Sequence, residues 1–206
     1  LYDIGRLQRA NAIPQVDVYV DSPMGIQASQ IMAQHPEAMR IDLEAQFAEQ
    51  AHCMGAQRVT MVQTTDDSKR LNDIQSKAII ISSSGMATGG RIQHHLRNRL
   101  PRPNDTVLFV GYEAPGTPGN MLLNGAKTLR IMGVPVPVHA TIAHIDGYSA
   151  HADRNELLRW FGGFTDTPQV YLVHGEPAAA ASLAAAVNAQ YKFPTQVAQP
   201  GEVVTI

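Results

Sequence analysis

The sequence predicts an α/β chain built on a parallel sheet flanked by helices. Two observations predict it. Four short apolar, β-rich runs, near residues 16–21, 58–63, 77–82 and 106–111, are each followed by a polar or glycine-rich loop and then by apolar residues at helical spacing. Strand, loop and helix recurring in that order is the pattern of βαβ units, whose crossovers leave strands parallel and helices over the sheet. The run Lys77-Ala78-Ile79-Ile80-Ile81 is continuously apolar after its lysine, which suits a central strand covered on both faces.

Taken in order, residues 1–12 read as a helix with Tyr2, Ile4, Leu7 and Ala10 available for one face. Val16–Asp21 is a strand, and Ser22-Pro23-Met24-Gly25 turns into a helix ending near His35. Asp21 is read either as a cap or turn residue or as the rim of a site. Pro36 to Met54 is helical, apolar at Met39, Leu43, Phe47 and Met54, with Glu37, Asp42, Glu44 and Glu49 on a solvated face. Arg58–Gln63 is the second strand. Thr65-Asp66-Asp67-Ser68 then caps a short helix to Ile74, which accounts for the adjacent aspartates better than metal binding does.

Beyond the third strand, Ser82 to Gly90 is rich in serine and glycine and opens a helix at Arg91. Backbone amides exposed by glycines, together with a helix N-terminus, suit an anion, so the loop reads as a phosphate site, the alternative being a loop that is merely tight for packing. The spacing is neither that of a dinucleotide fingerprint nor that of a P-loop. The following helix carries Arg91, His94, His95, Arg97 and Arg99, with Arg102 beyond, and is the most basic segment of the chain. It reads as a track for nucleic-acid backbone or as an unpartnered surface cluster. Thr106–Val110 is the fourth strand, with the loop Gly111–Asn120 and a short helix to about Ala126 behind it.

At Val134-Pro135-Val136-Pro137-Val138 two prolines alternate with valines, as in an edge strand or linker, and the boundary between segments 1–134 and 135–206 is placed there. Strands are expected near 138–145, 169–174 and 195–198, and an alanine-rich helix from Pro177 to about Tyr191. Asp153 can cap a helix through Asn155, Glu156, Leu157, Leu158, Trp160 and Phe161, with His151 just ahead of it. His174 closes the run Val170–Val173, at the strand end where ligands of α/β sheets gather.

The 206 residues can form one large domain or two small ones, and 44% hydrophobic against 17% charged residues excludes a disordered chain. A net charge of −2 provides no global attraction to nucleic acid, so such binding must rest on a local patch or a metal. Cys53 is the one cysteine, which excludes an intrachain disulfide and fits a reducing compartment; the cytoplasm is expected. No apolar run approaches the roughly 20 residues of a membrane span. The chain opens without Met in what reads as mid-helix, as a fragment of a longer protein would.

Four motifs in register carry a family resemblance. They are Ser149-Ala150-His151-Ala152-Asp153, then Val173-His174-Gly175-Glu176, and before both, Ser84-Gly85-Met86 with Gly89-Gly90, and Gly111-Tyr112 with Gly116-Thr117. Together these resemble the β-CASP branch of the metallo-β-lactamase superfamily, RNA-processing nucleases of the cleavage and polyadenylation specificity factor type. The resemblance implies that 1–134 is a β-CASP domain and 135–206 the C-terminal part of a metallo-β-lactamase αββα sandwich. It further implies a zinc-dependent ribonuclease that hydrolyses RNA phosphodiester bonds in RNA processing or decay. His174 would be a ligand of one of two zinc ions, and His151 the catalytic histidine at the scissile phosphate and leaving group. Ser149, Ser84, Gly85, Met86, Gly89, Gly90, Arg91, Gly116 and Thr117 would meet phosphate or RNA. RNA is then the expected partner, a membrane is not, and a homo-oligomer stays open.

The chain departs from that family in one respect. None of its histidines, at positions 35, 52, 94, 95, 139, 144, 151 and 174, makes an H-x-H-x-D-H ligand run. Those ligands are expected before Leu1, so catalysis by this polypeptide alone is not expected, and the alternative is a non-catalytic RNA-binding or scaffold module on the same fold. A rival chemistry is serine hydrolysis, since Gly147-Tyr148-Ser149-Ala150-His151 nearly matches a nucleophile elbow, but the final glycine is missing.

Overall fold

The computed structural model describes residues 1–38, 55–148 and 151–204. The helix expected over 36–54 lies outside them, apart from a 3-10 turn at Pro36–Ala38. The chain divides into two compact units, Leu1–Ser149 and Ala150–Ile206. The fold class is α/β, with parallel sheets flanked by helices.

In the first unit, helix α1 (Tyr2–Arg9) buries Gly5 and Gln8, not the larger apolar residues expected to form its inner face. Gly5 lies against the Gly55 carbonyl where a Cβ would not fit, so the helix approaches by its smallest residue. Gln8 then donates to the Val16 carbonyl and accepts from the Gln57 amide, which satisfies a side chain that is otherwise sealed from water.

Strands β1 (Asp17–Val20), β2 (Val59–Met61) and β3 (Ala78–Ile81) form a parallel sheet in the order β2-β1-β3. The middle strand is therefore β1, whose Val18 and Val20 are buried, while each residue of β3 is half-buried. The apolar run 77–81 is thus an edge of this sheet, not its centre. Helix α2 (Pro23–Gln34) starts at Ser22, whose hydroxyl accepts from the Gly25 amide at 3.0 Å. Helix α3 (Thr65–Arg70) is capped by Thr64, and Asp66 and Asp67 pair with Lys69 and Arg70 along it.

Helix α4 (Arg91–Arg99) leads to β4 (Thr106–Val110), which does not extend the first sheet. It pairs instead with β7 (Thr141–Ile145), in parallel, from Thr106 opposite Thr141 to Val110 opposite Ile145. All four expected strands are parallel, but in two ladders where one was expected. Helix α5 (Pro118–Leu123) and the antiparallel hairpin β5 (Thr128–Ile131) and β6 (Val134–Pro137) complete the unit. The boundary expected near residue 134 falls inside this hairpin, whereas the compact units part after Ser149. In β6, Pro135 and Pro137 alternate with Val134 and Val136, as an edge strand permits. Leu96, Leu100, Phe109, Leu122, Leu129, Ile131 and Val136 form the core here, each worth about 1.5–3 kcal/mol of burial.

The second unit contains α6 (Arg154–Phe161), β8 (Val170–Leu172), α7 (Pro177–Tyr191) and β9 (Thr195–Val197), with β8 and β9 parallel. Leu158, Phe161, Val170, Val187 and Phe193 pack together. The Tyr191 hydroxyl donates to the Leu158 carbonyl at 2.6 Å and ties the end of α7 to α6.

One polar cluster sits inside the first unit at the carboxyl edge of β2-β1-β3. Asp21 has no exposed surface. Its carboxylate accepts from Ser68 Oγ of α3 and from Arg91 Nη1 and His95 Nε2 of α4, each at 2.6 Å. Arg91 also donates to the carbonyls of Val62 and Gln63 beyond β2, and Ser82 Oγ donates to the Asp21 carbonyl. Asp21 is neither a cap nor a rim residue; it joins three strand ends to two helices. Burial works to raise its pKa, and hydrogen bonds from Ser68, His95 and Arg91 outweigh it, leaving the carboxyl below its ordinary value.

His95 donates through Nε2, while its buried Nδ1 has no hydrogen-bond partner among the described residues. Burial pushes its imidazole down, against the pull of Asp21. Arg91 already balances the one carboxylate, so a proton on Nδ1 would be a second, unmatched buried charge. Both groups bind fewer protons folded than unfolded, and stability therefore rises with pH through their titration ranges. Asp21→Ala is expected to cost about 3–5 kcal/mol, read by urea unfolding, because Arg91 and His95 lose their counter-group. His95→Gln is expected to flatten the loss of stability that begins as pH falls through the ordinary histidine value of 6.5; an unchanged slope would assign the acid sensitivity elsewhere.

Candidate functional site

The segment leaving β3 carries Ser84, Gly85, Met86, Gly89 and Gly90, and the segment leaving β4 carries Gly116 and Thr117. The Gly119 amide donates to the Met86 carbonyl at 3.1 Å and joins the two loops. Sequence spacing put both loops at strand ends, and the structure brings them to one place in the first unit.

Their glycines do different work. Gly90 has φ of 81° and caps α4 without a side chain, and a Cβ there would stand 2.6 Å from the Ser83 carbonyl. Only glycine meets both demands. Around Gly85 and Gly89 a Cβ would find open space, so no packing demand selects glycine there. Thr117 caps α5, its hydroxyl donating to the Ala114 carbonyl at 2.7 Å and accepting from the Asn120 amide at 3.3 Å. Ser84 Oγ lies 3.3 Å from Thr88 Oγ1. Arg91 does not present its guanidinium at the loop, since it is engaged with Asp21 and two carbonyls. The amide end of α4 is itself partly engaged, the Ile92 amide donating to the Ser83 carbonyl at 3.4 Å and the Gln93 amide to the Gly90 carbonyl at 3.3 Å, while the helix N-terminus still favours an anion beside it.

The basic helix is less cationic on its surface than its sequence implies. Arg99 donates to Asp105 at 3.0 Å and to the Leu71 carbonyl at 2.6 Å. Arg102 donates to the carbonyls of Ile74 and Asn72, and His95 belongs to the Asp21 cluster. His94 and Arg97 are exposed. In the sequence the helix reads as a track for nucleic-acid backbone or as a surface cluster, and the structure makes Arg99 and Arg102 largely ties to carbonyls of the 71–74 turn.

In the second unit, Asp153 caps the start of α6 as the sequence predicts, and Glu156 returns the bond to complete a capping box. His151 is exposed just before it, and Ser149 lies outside the described residues. Strand β8 ends at Leu172, so His174 stands past the strand in an exposed turn, with φ of 68°. No group of three or more His, Cys, Asp or Glu side chains among the described residues is placed to hold a metal ion. His174 and its described neighbours therefore do not by themselves fit a zinc site.

Sequence reasoning passed over Glu113, which sits in the second glycine loop and is only 5% exposed. Neither carboxyl oxygen has a hydrogen-bond partner among the described residues. No sequence signal marks it, because burial of a loop glutamate depends on neighbours that only the fold supplies.

Comparison with known proteins bears on these sites. The model of the Beta-Casp domain matches residues 1–122, and that of the Zn-dependent metallo-hydrolase RNA specificity domain matches residues 135–198. The chain is 34% identical over 167 residues to ribonuclease TTHA0252 of Thermus thermophilus, covering 80% of this chain and 37% of that protein. It is 29% identical over 199 residues to transcription termination factor FttA of Pyrococcus horikoshii, covering 93% of this chain and 30% of the relative. The FttA of Methanosarcina mazei is 27% identical over 205 residues, with 96% and 32% covered. The chain thus spans about a third of the length of these relatives.

The inward arginines can be told from the outward one by stability. Arg99→Ala removes an ion pair and a carbonyl tie that are mostly sheltered from water, and is expected to cost about 2–4 kcal/mol. Arg97→Ala, on the exposed face, is expected to stay within about 0.5 kcal/mol. Urea unfolding of the two variants checks the contrast, and equal losses would contradict it.

Proposed function

Since the chain belongs to the Beta-Casp family, whose model matches more than half of it, we propose that it is the RNA-holding part of a zinc-dependent ribonuclease that hydrolyses phosphodiester bonds. The observation that carries this reading is the joining of the two glycine loops through Gly119 and Met86 beside the amide end of α4. Exposed Gly85 and Gly90, with the half-buried Ser84, Met86 and Gly89 beside them and Gly116 and Thr117 alongside, form a rim suited to a chain of phosphates that asks little of base identity. Arg91 serves by fixing the start of α4. The weak net charge of the chain makes a local site of this kind the more economical source of affinity.

In the complete protein, His174 would give one nitrogen to zinc, with further ligands supplied from outside the described residues, two zinc ions being the family expectation. His151 holds the proton for the leaving oxygen, and Ser149 contacts the phosphate at which it leaves. A histidine suits that work because its ordinary pKa lies near neutrality. The second reading, a non-catalytic RNA-binding or scaffold module, shares the glycine loops and differs only at the histidines.

Two experiments separate these readings. Gly85→Asp places a carboxylate in open space, so the fold is expected to stay intact while single-stranded RNA binds roughly fivefold more weakly or worse, from about 1 kcal/mol of repulsion. Unchanged affinity, measured by fluorescence anisotropy, would move the RNA elsewhere. In the complete protein, His174→Ala is expected to lower zinc content and activity together. His151→Ala is expected to keep zinc and cut turnover by roughly 10² to 10⁴. A complete protein with no zinc-dependent cleavage to lose, yet with Gly85-sensitive RNA binding, would be the scaffold.

A further inference from the structure

Glu113 has no part in the fold's hydrogen bonding through its side chain, and none in the function proposed above. Its carboxyl lies against Gly119 of α5, where a Cβ would collide with it, and that same Cβ would stand 3.1 Å from the Phe109 ring of β4. The backbone around it is well tied: the Glu113 carbonyl accepts from Asn120 Nδ2 at 3.1 Å, and the Gly111 amide donates to the Ile145 carbonyl at 3.1 Å. A carboxylate in such a place, buried with both oxygens unmet, is unfavourable by several kcal/mol, whereas the neutral acid is tolerated. Gly119 is also the residue whose amide joins this loop to the Ser84–Gly90 loop. The carboxyl therefore sits directly behind the junction between the two loops.

We infer that Glu113 is a proton-linked positioning residue of the RNA-facing rim. As the uncharged acid it seats against Gly119 and Phe109 and holds the Gly111–Thr117 loop against the Ser84–Gly90 loop; as the carboxylate it leaves, and the rim loosens and gains a negative charge. This rests on the reading of those loops as the RNA contact. The surroundings supply little to stabilise the ion. Neither β4, nor residues 82–90, nor α5 has an ionisable side chain, and within its own loop the only other one is the phenol of Tyr112. From β7 the facing group is His144, which contacts the Gly111 carbonyl through Nε2 at 2.6 Å and Asp146 through Nδ1 at 3.2 Å. Burial pushes the Glu113 carboxyl above its ordinary value of 4.5, and His144 opposes this without reversing it. The folded state then binds more protons than the unfolded one, so the contribution of Glu113 to stability is fully present below that ordinary value and is lost as pH rises through the raised one.

The test compares this chain with its Glu113→Gln variant, which keeps the shape of the neutral acid at every pH. Thermal unfolding and anisotropy with a single-stranded RNA oligonucleotide are followed over the same pH series. Both proteins share His95, Asp21 and His144, so the ratio between them isolates Glu113. The ratio of RNA affinities, variant over parent, is expected to rise by roughly threefold or more from the acid to the alkaline end, with the unfolding temperature of the parent falling further than that of the variant. Glu113→Ala, which leaves a void, is expected to be less stable than Glu113→Gln throughout and so to distinguish loss of packing from loss of the proton. Superimposable pH profiles for parent and Glu113→Gln, in stability or in RNA affinity, would overturn the inference while leaving the RNA reading intact. RNA binding by neither protein at any pH would overturn the RNA reading, and this inference with it.

Discussion

A carboxylate removed from water must be met by donors, and the first unit is arranged so that Asp21 is met by three. The consequences run outward from it. Because Arg91 and His95 both answer Asp21, helix α4 must begin beside the end of β1 and present that face. Because α4 begins there, the Ser82–Gly90 segment has to turn sharply, which is where Gly90 becomes necessary. Because Arg91 also reaches the carbonyls past β2, all three strand ends are held at one level. The shape of the glycine rim is therefore set from behind, by an ion pair that never meets solvent on the Asp21 side.

The same unit holds a second acid under opposite conditions. Asp21 is surrounded by donors, whereas the Glu113 carboxyl lies against a glycine close to an aromatic ring, with neither oxygen met by a donor among the described residues. The first is stabilised as an ion and the second as an acid, although both stand behind loops that follow parallel strands. Charge state here is decided by which side chains reach the carboxyl and not by depth alone. A rim supported on one side by an ion pair and on the other by a neutral acid responds differently to acid and to base on its two flanks.

Much of this was legible in the sequence, and the pattern of what was not is physical. Helix α7, Pro177–Tyr191, is legible because proline and alanine signal its start and body. The Asp153 cap was found because capping is a local pattern. Parallel pairing followed from the recurrence of strand, loop and helix. Strand order did not, since β3 is more apolar than β1 and yet lies at the edge; order depends on crossovers, which hydrophobicity does not record. Arg99 and Arg102 looked like a nucleic-acid surface because composition does not say which way a side chain turns, and their acceptors, the carbonyls of residues 71 to 74, leave no trace in the sequence. In the sequence Asp21 reads as a cap or a rim residue, and the residue that caps the helix is its neighbour Ser22. Of the candidate histidines, the resemblance named His151 and His174, but their setting lies partly beyond the described residues.

The alternating prolines of β6 have a consequence for how the molecule meets copies of itself. Val134, Val136 and Val138 share one parity, and the Val138 amide donates inward to the Lys127 carbonyl. Pro135 and Pro137, of the other parity, direct their nitrogens away from β5. The outer margin of the hairpin thus displays carbonyls with no N–H at either position, and the carbonyls of an incoming strand would find no donor. A valine-bearing edge strand would otherwise be an open template for lateral growth. Two residues that donate nothing close it, and they do so without a single added charge.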